Sequence, residues 1–279
     1  MLRLLSGALR VDTIEIPIAN LCDRLQGTTI VQLSDFHFDG FRLSERMLVE
    51  AIEASNAIDP DLVFLTGDFV TDDPQPIEEL VLHLKYLRSR SGVYAVLGNH
   101  DLHYRRSRDI VTRALERVDI PVLWNQVEYP LGPELALVGL PDFWQPQFAP
   151  EKVMEAIAPD IPRVVLSHNP DSAAVLEKWR VDLQLSGHTH GGQIWIPGYG
   201  SLAKLLKIIN RATPKPLRRF IPYLSGYKKV VDRWEWAAGL HRVGDNWLYV
   251  NRGLGTYLPG RLFCPPEVTV IKLVKARSS

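Results

Sequence analysis

Five short segments of this 279-residue chain place metal-ligand residue types directly after an apolar run. They are Ser34-Asp35-Phe36-His37, Gly67-Asp68, Gly98-Asn99-His100-Asp101, Ser167-His168-Asn169-Pro170 and Gly187-His188-Thr189-His190-Gly191-Gly192. A single Asp-x-His or a lone histidine is common and carries little information. Five such segments, each at the end of a predicted strand, are hard to explain as ordinary loop polarity. Carboxylate, imidazole and amide oxygen together suit Mn, Fe or Zn, and the lack of thiolates argues against a purely structural zinc site. Asp68 is the natural carboxylate to bridge two ions. A pair of divalent ions about 3.5–4 Å apart would activate a water and neutralise both oxygens of a phosphoryl transfer. Glycines beside the ligands permit tight turns and close backbone approach.

The elements that would carry these residues follow an α/β pattern. Apolar runs predict strands over 29–33, 61–66, 93–97, 135–140, 163–167, 181–186, 247–250 and 268–271. Between them lie amphipathic helices. One is capped by Ser44, with Leu48, Ala51, Ile52 and Ser55 on one face. A second runs from about Pro76 to Arg90, acidic at its start and basic at its end, as the helix dipole favours. A third is marked by Ile110, Ala114, Leu115 and Val118, and a fourth lies near 171–179. In an open, mostly parallel sheet the C-terminal strand ends converge on the crevice where ligands bind. No internal repeat or linker is visible, so a single domain over 1–279 is expected.

The ordered set Asp35-x-His37, Gly67-Asp68, Gly98-Asn99-His100-Asp101, His168 and Gly187-His188-Thr189-His190 resembles the calcineurin-like metallophosphoesterase superfamily. The resemblance spans residues 28 to about 196, and Asn251-Arg252-Gly253-Leu254-Gly255 resembles its bacterial single-domain branch. It implies a four-layer α/β/β/α sandwich and a hydrolase with two divalent metal ions. By the same resemblance Asp35, His37, Asp68 and His190 hold one ion, and Asp68, Asn99, His168 and His188 the other. His100 would stabilise the transition state or protonate the leaving oxygen. Ser/Thr protein phosphatases of the superfamily have an acid three residues after the bridging Asp, followed by Arg-Gly. Here Thr71 stands there, with Asp72 and Asp73 after it, which disfavours a protein phosphatase. Asp72 and Asp101 are both candidates for the carboxylate that orients His100. A non-catalytic phospho-ligand-binding scaffold is disfavoured by the complete ligand set.

Composition sets the remaining bounds. With 46% hydrophobic and 23% charged residues the chain reads as globular rather than disordered. No run approaches the roughly 18 apolar residues of a membrane span, and the apolar start is too short for a signal peptide. A cytoplasmic protein is therefore expected. Cys22 and Cys264 lie far apart and suggest neither a disulfide framework nor a thiolate site. His83 reads as packed or solvated, His103 as structural or substrate-contacting, and His241 has no supporting context. The Trp234-Glu235-Trp236 cluster reads as core, and no nucleic-acid partner is expected.

The formal net charge of zero hides a dipole. No acidic residue occurs between Asp182 and Asp232, whereas Lys204, Lys207, Arg211, Lys215, Arg218, Arg219, Lys228 and Lys229 fall within 199–230. The 24 other basic residues face 32 acidic ones. Leu202, Leu205, Leu206 and Ile209 form one face of a short helix, with Lys204, Lys207 and Arg211 off it. This basic, apolar insertion at about 197–230 reads as a patch for an anionic membrane surface, engaged through Lys204, Lys207, Arg211, Arg218 and Arg219. It would place the enzyme at the inner face of the membrane. The favoured substrate is then a phosphorylated lipid, such as UDP-diacylglucosamine or a phospholipid. A soluble nucleotide is the alternative.

Overall fold

Runs that are apolar on both faces, such as Thr29–Leu33 and Leu62–Leu65, can be buried only in sheets covered on both sides. A computed structural model describes residues 6–214 and 230–276 and shows two such sheets. The first contains β1 (Arg10–Ile18), β2 (Thr29–Leu33), β3 (Leu62–Leu65), β4 (Val93–Ala95) and β13 (Glu267–Lys275), in the order β1-β13-β2-β3-β4. The second contains β5 (Gln126–Glu128), β6 (Ala136–Gly139), β7 (Arg163–Leu166), β8 (Leu183–Ser186), β11 (Gly239–Val243) and β12 (Asn246–Val250), in the order β11-β12-β8-β7-β6-β5. β2, β3 and β4 run parallel, as do β6, β7, β8 and β12.

The sheets pack on each other through Ile30, Leu62 and Phe64 of one and Val164, Leu166 and Leu185 of the other. The outer face of the first sheet, Val31, Leu33, Val63 and Leu65, meets α1 (Glu45–Ala57), α2 (Ile77–Leu84) and α3 (Ser107–Glu116). The outer face of the second, Ala136, Val138 and Val165, meets α4 (Glu151–Met154) and α5 (Ala173–Leu176). These are the α/β/β/α layers. Gln32 ties the sheets through the core, its amide donating to Thr66 Oγ1 at 2.9 Å and to the Ser186 carbonyl at 3.0 Å.

Local chemistry explains most boundaries. Ser44 Oγ accepts the Met47 N–H at 3.3 Å and starts α1 where its side chain predicts. α2 stops at Leu84, short of the expected Arg90. Asn56 of α1 accepts the Arg88 N–H and donates to the Tyr86 carbonyl, which holds the tail in turns. The helix expected near 171–179 is one turn of 3-10 helix at Pro170–Ser172 followed by α5. β1 is an element that sequence reading did not anticipate. It gains its register only from nine parallel pairings with β13, at the other end of the chain.

A short hairpin, β9 (Trp195–Ile196) and β10 (Gly200–Ser201), leads into α6 (Leu202–Ala212), capped by Ser201 Oγ. Lys204, Lys207 and Arg211 stand on α6. Lys215, Arg218, Arg219, Lys228 and Lys229 lie outside the described residues. Trp234 and Trp236 are buried, as expected of core residues. Among the described residues no helix is long and apolar enough to cross a membrane.

Candidate metal centre

The C-terminal ends of β2, β3, β4, β7 and β8 meet at one edge of the sandwich, and each delivers one of the five motifs. Backbone bonds lock the loops in step. The Asp35 N–H donates to the Gly67 carbonyl, His37 N–H to Asp68 and Gly187 N–H to His168, each at 2.9 Å. Asp35, His37, Asp68, His188 and His190 all have φ between 43° and 71°, the left-handed region. Non-glycine residues there cost on the order of 1–3 kcal/mol each and persist where the surroundings over-determine them, commonly at functional sites. Gly98 shows the crowding: a Cβ would lie 2.2 Å from Asp68 Oδ1.

Three groups of side chains bring their ligand atoms within 4.8 Å of one another: Asp35 with His37 and His190, His37 with Asp68 and His100, and Asp68 with His168 and His188. Asp68 Oδ2 lies 3.4 Å from His37 Nε2 and 3.1 Å from His168 Nε2, so one carboxylate joins the two halves. His190 Nε2 is 3.5 Å from Asp35 Oδ1 and 3.0 Å from His37 Nε2. His188 Nδ1 is 3.3 Å from His168 Nε2.

The outward nitrogens fix the tautomers. His168 Nδ1 meets the Thr66 carbonyl at 2.6 Å, His190 Nδ1 the Gly255 carbonyl at 3.1 Å and His188 Nε2 the Val230 carbonyl at 3.0 Å. Each carbonyl can only accept, so the proton sits on the outward nitrogen and the inner one offers a lone pair. His37 Nδ1 meets Tyr257 Oη at 3.0 Å. Lone pairs converging on common points, beside carboxylates, are what a cation needs. Asn99 Oδ1 is buried with no hydrogen-bond partner, an acceptor that a cation would satisfy. The residues therefore fit divalent metal.

Electrostatics agree with that fit. Burial pushes Asp35 up to about 6, with the charge of Asp68 adding to the rise. Burial pushes His37 down to about 3 and His188 down to about 4. Burial would raise Asp68 too, but His168, His37 and His100 hold it well below the usual carboxylate range. Burial likewise opposes a charged His168, yet Asp68 outweighs it and pushes that imidazole up to about 10. The positive charge that Asp68 demands here is one a bound cation would supply. In chelator-treated protein, long-range 1H–15N spectra should show His37 and His188 still neutral at about pH 5, below the ordinary histidine value of about 6.5. Protonation of either ring at pH 6 would contradict this account of their burial.

His100 stands at the mouth. Its N–H donates to Asp68 Oδ1 at 2.9 Å, and its Nδ1 donates to the Thr71 carbonyl. Asp72 Oδ1 is 3.7 Å from Nδ1, while His103 faces the same carboxylate at 3.9 Å. Of the two candidates for the carboxylate that orients His100, Asp72 is the one near its Nδ1. Asp101 is fully buried and points the other way, accepting N–H bonds from Asp68, Phe69, Val70 and Gly98 at 2.8–3.2 Å. It is a clamp on the loop that presents Asp68. Asp101→Ala strands four donors and is expected to lower stability by about 3 kcal/mol or more, read as a shift in the urea midpoint. An unchanged midpoint would refute the clamp.

Residues that the motifs did not reveal complete the surroundings. Trp144, Gln193 and Tyr257 join Asp68, Asn99, His100, His188 and His190 around a cavity of about 680 Å³. The Trp144 ring edge meets His188 with centroids 4.9 Å apart. The Arg42 guanidinium lies 4.5 Å from the centre of the Tyr257 ring. Arg261 donates to the carbonyls of Arg252, Gly253 and Gly255 at 2.6–3.0 Å, bracing the loop that supports His190 and carries Tyr257. The glycine-rich Asn251–Gly255 stretch was the one sequence signal pointing to that loop. His83 is half-buried near Phe38, and His241 bonds the Ala238 carbonyl, both away from the centre.

Two sheets enclosing this edge, with paired acid and imidazole groups on it, define a metallophosphoesterase. Residues 28–192 match the calcineurin-like phosphoesterase family, and the chain belongs to it. Phosphodiesterase YaeI of Escherichia coli is 32% identical over 249 residues, covering 88% of this chain and 82% of the relative. UDP-2,3-diacylglucosamine pyrophosphatase LpxG of Chlamydia trachomatis is 29% identical over 312 residues, covering 95% and 89%. A Bacillus subtilis metallophosphoesterase, YkuE, is 31% identical, covering 88% and 79%. The chain is thus a metal-dependent phosphoester hydrolase.

Proposed function

We propose that the chain, as a single domain with a basic insertion, hydrolyses a phosphoester or pyrophosphate bond of a membrane-associated lipid. UDP-diacylglucosamine or a phospholipid is the favoured class. In this reading Asp35, His37, Asp68 and His190 hold one divalent ion, and Asp68, Asn99, His168 and His188 a second, with Mn, Fe and Zn all compatible. Bound divalent ions supply Lewis acidity toward a phosphoryl oxygen and make water nucleophilic at neutral pH. The observation that carries the reading is the sharing of Asp68 between the two halves of a centre that opens into the cavity beside His100.

The protein groups have separable tasks. Asp101 fixes the loop so that Asp68 faces both halves. His100 carries a proton on Nδ1, held by the Thr71 carbonyl, which leaves Nε2 to exchange a proton with the leaving oxygen. Asp72 stabilises the charged imidazole that this exchange requires. Gln193 Oε1 accepts the Tyr257 N–H at 2.6 Å and shapes the far wall.

Lys204, Lys207 and Arg211 on α6, with Arg218 and Arg219 beyond the described residues, support a lipid partner. They lie in a stretch without acidic residues, and each basic group near an anionic surface contributes about 1 kcal/mol. In this reading the enzyme works at the inner membrane face. Similarity to the pyrophosphatase named above supports the same class. A soluble nucleotide diester is the second reading, favoured by similarity to Phosphodiesterase YaeI and by the positive field near the cavity. Turnover of UDP-diacylglucosamine and phospholipids in mixed micelles, measured beside UDP-sugars and cyclic nucleotides, separates the two. Faster turnover of the lipids supports the proposal, and faster turnover of the soluble nucleotides overturns it.

A further inference from the structure

Large apolar side chains are exposed around the mouth of the cavity, concentrated on the loop that follows Tyr257. Leu258 is 67% exposed, Leu262 54% and Phe263 70%, although the loop itself is firmly anchored. The Arg261 side chain between them bonds four backbone carbonyls and Thr256 Oγ1. These bonds tie the loop to the residues on either side of it, while Leu258, Leu262 and Phe263 stay exposed.

The exposed face continues in both directions. The Thr256 N–H donates to the Arg42 carbonyl at 3.0 Å, which brings in exposed Phe41. Leu262 exchanges backbone bonds with Gln193 and Trp195 at 2.9 Å, and the Leu202 N–H donates to the Ile194 carbonyl at 2.8 Å. The loop is thus continuous with the hairpin that carries exposed Tyr199 and with α6. Residues 183–214 and 251–266, which carry the loop, the hairpin and α6, contain no acidic side chain. Apolar groups beside Lys204 and Arg211, on two segments without acidic residues, complement an anionic bilayer in both respects.

We propose that the Leu258–Phe263 loop, with Phe41 and Tyr199, inserts into the headgroup region of an anionic bilayer and seats the cavity mouth on it. This deepens the lipid reading above and rests on it. The insertion supplies a salt-resistant component of binding, α6 a salt-sensitive one. Lys207 is left out of the test because its ammonium already bonds the Asp232 carbonyl.

The test is sedimentation of the intact metal-loaded protein with phosphatidylcholine–phosphatidylglycerol vesicles at low and high salt. Hydrolysis of bis-p-nitrophenyl phosphate is followed in parallel. Leu258→Ser with Phe263→Ser should weaken vesicle binding at high salt roughly a hundredfold, and leave diester hydrolysis near the parent value. Lys204→Glu with Arg211→Glu should remove mainly the salt-sensitive part. Parent-like pelleting of the Leu258/Phe263 variant would overturn the insertion. So would a parent dimer in analytical ultracentrifugation that this variant splits, since a second copy would then cover the face. Failure of the parent to hydrolyse the diester with added metal would instead refute the hydrolase reading beneath it.

Discussion

Asp68→Asn is expected to lower phosphodiester turnover by about a thousandfold or more, the order of the transition-state stabilisation that a metal site provides. The effect comes from position rather than from charge alone. Asp68 Oδ2 reaches both His37 and His168, so no other side chain can replace its link between the two halves. Asparagine keeps the shape and tolerates the left-handed φ of 55° at this position, so folding should survive. The amide removes the negative charge that His168, His37 and His100 all face. Metal content should fall along with turnover, while the circular dichroism spectrum stays native. Full activity in metal-supplemented buffer would show that the carboxylate is not shared.

His100→Asn should separate chemistry from metal binding. The imidazole lines the cavity beside His37 and Asp68, but its Nδ1 is held by the Thr71 carbonyl, and the proposed ligand sets leave it free for proton transfer. Loss of a general acid lowers kcat by roughly 100- to 10,000-fold. Metal content should stay at the parent level. Asp72→Asn should give a smaller loss, because that carboxylate acts on the substrate only through His100. A His100 variant that loses its metals along with its activity would make His100 a ligand and overturn the role assigned to it.

Much of the site was legible because metal chemistry restricts residue types and the sheet restricts where they can stand. Asp35, Asp68 and His188 each follow an apolar run, and such runs end at the same edge of a parallel sheet. The α/β alternation was legible in the apolar and amphipathic runs, whereas the four layers followed only from the family resemblance of the motifs. What stayed hidden depends on backbone partners or on distant pairing. Asp101 has the residue type of a catalytic carboxylate. Its role as a clamp appears only when the N–H groups of Asp68, Phe69 and Val70 fold around it. Tyr257 meets His37 across 220 residues of sequence, and no local pattern announces that contact. The early end of α2 is set by Asn56 from another helix, and β1 exists only because β13 lies beside it. The left-handed backbone at five site residues was also invisible, since aspartate and histidine at a loop start are compatible with several conformations.

Metal titration of chelated protein, with bound metal and diester turnover measured on the same samples, tests the central claim most directly. The account predicts no turnover after chelation and recovery with Mn that saturates at about two ions per chain, as a two-metal site requires. In the Asp68→Asn protein the same titration should recover neither. Full turnover in the presence of chelator, or recovery complete at a single ion, would contradict it.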